Sequence, residues 1–160
     1  MSATATARDP GLAAAVERHL ELQLESARRL LELVLRQGAA IRERDTEAVL
    51  ARLAEIKTEM AARAGLERER GALIDATAAR LGIGAEGVTL AALAALMSEA
   101  EAAAVEARSA ELRGLLAEIA REHGINRALM RQELTFLDHL IRLVGEPDAD
   151  GGNRLMDVEA

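Results

Sequence analysis

Ile125-Asn126-Arg127-Ala128-Leu129-Met130-Arg131-Gln132-Glu133-Leu134-Thr135-Phe136-Leu137-Asp138-His139-Leu140-Ile141-Arg142-Leu143-Val144 lays apolar residues along one helix in two stripes. Met130, Leu134, Leu137, Ile141 and Val144 make the first, and Leu129, Phe136, Leu140 and Leu143 the second, about a quarter-turn away. Together they span roughly half the circumference, whereas a helix packed on one neighbour needs an arc of only ~100°. Asn126 and Glu133 interrupt that arc, and Arg127, Arg131, Asp138 and Arg142 hold the opposite side. Such a helix either lies deep in a core or expects a partner.

The chain of 160 residues has one domain's length. It is 50% hydrophobic but only 1% aromatic, with Phe136 the single aromatic residue, and alanine, leucine, arginine and glutamate dominate. That is the composition of long packed helices. The formal net charge is −7, without a basic block, so a nucleic-acid partner is not expected. No cysteine is present, which removes disulfides, thiolate metal sites and thiol nucleophiles. Neither a signal peptide nor a stable membrane insertion is supported by any apolar run, and a cytoplasmic location is expected.

Two prolines bracket the expected fold. Asp9-Pro10 reads as an N-cap followed by proline at the first helical position. Gly145-Glu146-Pro147 reads as a helix stop. The expectation is a flexible N-terminus (1–8), a single helical-bundle domain (9–146) and a flexible acidic tail (147–160).

Within the domain three helices are predicted, over 10–43, 46–81 and 89–144. In the first, Leu20, Leu24, Ala27, Leu31, Val34, Gly38 and Ile41 alternate at four- and three-residue spacings, a coiled-coil seam. Asp45-Thr46 caps the second, which presents Val49, Leu53, Ile56 and Met60 and later Ile74 and Leu81. Its middle carries Arg63, Glu67 and Arg70 at strict heptad positions, so a drifting seam through Ala64 and Gly71 is expected there. Gly82-Ile83 suits a glycine C-cap. The third helix passes through Gly114 and Gly124 and is the longest. The fold class is all-α: an antiparallel coiled-coil-like bundle whose third helix extends beyond the others.

Catalytic and metal constellations are missing. His19, His123 and His139 fall in no ligand spacing, and the reading for each is a helix-surface or seam residue. Glu99, Glu101, Glu106 and Glu111 are spread around a helix as a solvated face. None of Ser2, Ser26, Ser98 and Ser109 sits in a nucleophile elbow. Gly82 to Gly87 lacks both the strand and the Lys-Ser/Thr of a phosphate loop. The chain reads as a binding protein that needs no cofactor or metal.

Two further groups of residues carry a resemblance. Asp45-Thr46-Glu47 is followed by Leu50, Leu53 and Lys57, the sole lysine. Asn126 is followed by Leu129, Met130, Leu134, Leu137 and Ile141. This order resembles the FlgN-like flagellar export chaperones, from about Leu20 to Val144. The resemblance implies a cytoplasmic helical chaperone that binds hook-associated (hook-filament junction) proteins and escorts them to the type III export apparatus. Contacts with export-gate or export-ATPase components are also implied. Family members often carry an aromatic residue, commonly tyrosine, just after the third helix, linked with docking on the export gate; here Glu146-Pro147-Asp148-Ala149-Asp150 stands instead, so the resemblance supports client binding better than that gate contact. The client-binding residues expected are Asn126, Leu129, Met130, Glu133, Phe136, Leu137, Leu140, Ile141, Leu143 and Val144. Met130, Leu137 and Ile141 are assigned to the chain's own bundle or a second copy, and Phe136, Leu140 and Leu143 to the client. Asn126 is either a polar seam residue or a donor to a partner's backbone. A homodimer through the same stripes, or a phasin-like coat on lipid or granules, are the alternatives.

Overall fold

Asp9 opens the first helix, α1 (Pro10–Arg42). Its carboxylate accepts the Leu12 N–H at 3.0 Å, and Pro10 at the first helical position has no N–H to leave unpaired. α1 ends in a Schellman turn: Asp45 N–H reaches the Ala40 carbonyl at 3.0 Å and Arg44 N–H the Ile41 carbonyl at 3.1 Å. Arg44 takes the left-handed position that such a turn requires, with φ 57. Asp45 then caps α2 (Thr46–Leu81), accepting the Ala48 N–H at 3.0 Å. In the computed structural model, which describes residues 7–145, there is no strand among the described residues. Residues 1–6 and 146–160, which hold most of the expected N-terminus and the whole tail, lie outside the described part.

α2 closes on Gly82 at φ 65, with the Ile83 N–H on the Ala78 carbonyl at 3.1 Å. This is the predicted glycine cap. A 3₁₀ turn (Ala85–Gly87) and a short helix, α3 (Leu90–Ala94), lead to α4 (Glu99–Gly145). The helix predicted over 89–144 is therefore interrupted. The physical reason is a serine N-cap that the sequence carries in Ser98-Glu99-Ala100-Glu101. Ser98 Oγ accepts the Glu101 N–H at 3.2 Å and donates to its carboxylate at 3.0 Å. Leu96 and Met97, just before the cap, are buried. Met97 packs with Ala13, Val16 and Val105. The Leu96 carbonyl accepts the Asp9 N–H at 2.9 Å, which ties this junction to the start of α1. α4 runs unbroken through Gly114 and Gly124.

Consecutive long helices run antiparallel, so α1 and α4 run parallel. α1 lies between α2 and α4, which barely meet each other. This placement alters the expected seam. Ala13, Val16, His19, Gln23, Ser26, Leu30, Gln37 and Ala40 are buried along with Leu24, Ala27, Val34, Gly38 and Ile41, whereas Leu20 and Leu31 are only half-buried. A central helix is covered on two sides, so a one-faced heptad reading captures half of its contacts. Leu30, Val34 and Ile56 form one cluster with Leu33 and Ile119 against it, joining all three long helices.

The middle of the α1–α2 contact is polar. Ser26 donates to Glu59 at 2.7 Å and accepts from Arg63 at 3.2 Å; Gln23 donates to Glu67 at 3.5 Å; His19 lies 3.5 Å from Glu69. Ala64 is exposed, so the drifting seam is not used there; Arg63 and Glu67 meet α1 instead, while Arg70 is exposed and pairs with Glu67 within α2. Burial by itself would raise the Glu59 pKa. The Ser26 hydroxyl and the Arg29 and Arg63 guanidiniums outweigh it and hold the carboxyl below its ordinary value. Because α2 and α4 do not close on each other, a groove of about 470 Å³ remains between them, floored by His19 and Gln23.

Candidate partner-binding surface at the end of α4

α1 stops at Arg42, while α4 continues to Gly145. The last buried contact between them is built on Asn126, which is 2% exposed. Asn126 Nδ2 donates to the Val34 carbonyl at 2.8 Å. Its side-chain oxygen lies over Gly38, where an added Cβ would come within 2.6 Å of it. Gly38 thus lets the amide reach the α1 backbone, and Asn126 belongs to the bundle. Its expected place among the client-binding residues is corrected: at 2% exposed and bonded to Val34, the amide is covered by the bundle. The polar-seam reading of Asn126 describes what is found.

One turn further, Leu129 and Glu133 are half-buried and Met130 is exposed. Glu133 lies 3.6 Å from the Arg44 guanidinium, which also stands 5.7 Å from the centre of the Phe136 ring. Beyond this link no side chain from Leu134 to Val144 is buried. Eleven residues of helix correspond to ~16 Å. Leu134 is 65% exposed, Phe136 47%, Ile141 67% and Val144 86%, and Leu137, Leu140 and Leu143 are exposed with them.

Both stripes are therefore free along this stretch. Met130, Leu137 and Ile141, assigned to the chain's own bundle or a second copy, are all exposed, so the own-bundle half of that assignment is corrected. Phe136, Leu140 and Leu143 are exposed as expected. Of the predicted set, the structure gathers Met130, Phe136, Leu137, Leu140, Ile141, Leu143 and Val144, together with Leu134, on one projecting helix end. Leu129 and Glu133 border it, and Asn126 stands apart.

Helical order persists here although, among the described residues, no side chain from Leu134 to Val144 is buried. Nucleation is complete in the anchored part of α4, so each further residue need only propagate the helix. Asp138 and Arg142 add an i,i+4 ion pair at 3.1 Å. The exposed apolar residues here are contiguous rather than scattered singly. They recur at three- and four-residue spacings, the pattern by which one helix seats another.

Arg44 is the residue of this region that sequence reading missed. The turn at 42–44 was predictable, but nothing in the sequence says that its tip lies beside Phe136. Among the described residues no group of three or more His, Cys, Asp or Glu is arranged to hold a metal ion. No helix there is long and apolar enough to cross a membrane.

Comparison with known proteins agrees with this architecture. No curated protein and no solved structure matches the chain. The profile of the FlgN protein family matches residues 12–154, which takes in all but the first two residues of the three long helices, the projecting end of α4 included. The chain thus belongs to the FlgN family, a family of flagellar export chaperones.

Proposed function

We propose that the projecting end of α4 binds the C-terminal amphipathic helix of a flagellar hook-associated protein in the cytoplasm. Binding shields that helix from premature assembly and brings the client to the type III export apparatus, where export-gate or export-ATPase components receive it. The chain acts by binding and catalyses nothing. The observation that carries this reading is the run of exposed apolar residues from Leu134 to Val144, on a helix that has outrun its neighbours. A client helix supplies the opposite apolar face and removes both from water, at roughly 25 cal/mol per Å² of apolar surface.

Leu140→Glu with Leu143→Glu places two charges in the middle of this surface. The double variant should keep its helical circular dichroism, since both residues are exposed among the described residues. It should lose binding to a synthetic peptide of the client's C-terminal helix in calorimetric titration. Unaltered affinity would sink the proposal.

The same exposed stripes favour one rival, pairing with a second copy of the chain. Light scattering separates the two. A dimer that survives dilution and ignores the client peptide supports the rival; a monomer that takes up one peptide supports the chaperone reading.

A further inference from the structure

Arg44 occupies a conformation that ordinarily belongs to glycine or asparagine. Glycine at that position would close the same Schellman turn without a Cβ in conflict with the backbone. A strained residue held at such a site points to a use for its side chain. Here that side chain leaves the tip of the α1–α2 hairpin and reaches α4 twice, at the Glu133 carboxylate and over the Phe136 ring. Both contacts are largely exposed, and exposed ion pairs add little to global stability. What they do alter is where α4 is held. Without Arg44 the last buried contact of α4 is Asn126; with it, the hold extends to Phe136, ~15 Å further along the helix.

We propose that Arg44 is a positioning residue for the docking surface, and this rests on the reading of that surface given above. The guanidinium covers one side of Phe136 and fixes the rotation of the projecting helix, so that the two stripes are presented in a defined direction before a partner arrives. Ordering this segment in advance removes part of the entropy that binding would otherwise lose.

Arg44→Gly separates positioning from folding, because it relieves the backbone strain while deleting the side chain. The melting temperature should be unchanged or higher. Amides from about 130 to 140 should exchange with solvent severalfold faster, while those of α1 and α2 keep their protection. Affinity for the client-helix peptide should fall about three- to tenfold. The exchange of charges in Arg44→Glu with Glu133→Arg should recover part of both the protection and the affinity. Unchanged exchange and affinity in Arg44→Gly would overturn the proposal. So would a lower melting temperature with protection lost throughout, which would make Arg44 an ordinary structural residue. Should the Leu140→Glu, Leu143→Glu variant still bind the peptide, the docking reading fails, and the exchange measurement still decides Arg44.

Discussion

Asn126 and Gly38 show how much can hang on one amide and one missing Cβ. The Asn126 amide bonds a carbonyl inside another helix, and Gly38 leaves just enough space for it. The pair fixes the register between α1 and α4, a use for which a buried polar residue suits a helical seam better than leucine does. Asn126→Asp keeps the shape but turns the donor into a carboxylate oxygen facing the Val34 carbonyl. Equilibrium urea unfolding should show a loss of about 3 kcal/mol or more, the cost of a buried, unpaired charge. The asparagine was visible in the sequence as the one polar interruption at its edge of the apolar arc. Its partner was not, because a backbone carbonyl 92 residues away leaves no trace in side-chain pattern.

The helices divide by how they are terminated. Asp9, Asp45 and Gly82 stop or start helices through local hydrogen bonds, and local chemistry is what a sequence displays most openly. Ser98 belongs with them: S-x-x-E was present in the chain, but the alanine-rich run around it offered helix propensity on both sides and hid the break. Ser98→Ala removes the acceptor for the Glu101 N–H and should cost about 1 kcal/mol in urea unfolding. A cost near zero would mean that burial of Leu96 and Met97, rather than the cap, starts α4. At its other end, past Asn126, α4 meets Arg44 at Glu133 and Phe136, and among the described residues its side chains from Leu134 onward are exposed.

For the molecule as a whole, the order of the three long helices matters more than their number. With α1 in the middle, a residue such as Leu30 contributes to one cluster that spans α2 and α4 alike. Leu30→Ala should therefore cost about 2–5 kcal/mol. Leu134→Ala, on the projecting end, should stay within about 0.5 kcal/mol. Urea unfolding of the two variants side by side checks this, and comparable losses would show that the end of α4 is packed after all. Composition, the Asp9-Pro10 cap and the 3.5-residue spacing sufficed for an all-helical chain with three long elements, since periodicity and capping act within a few residues of each other; the helix stop expected at Pro147 lies outside the described residues. They also located the apolar stripes of α4, because excess apolar width on a helix is a local property. Which helix lies in the middle is not local: His19, Gln23 and Ser26 look like surface residues until α2 covers them. For the same reason, only the packed arrangement, in which α1 ends at Arg42 and α4 does not, shows that both stripes beyond Glu133 are exposed among the described residues.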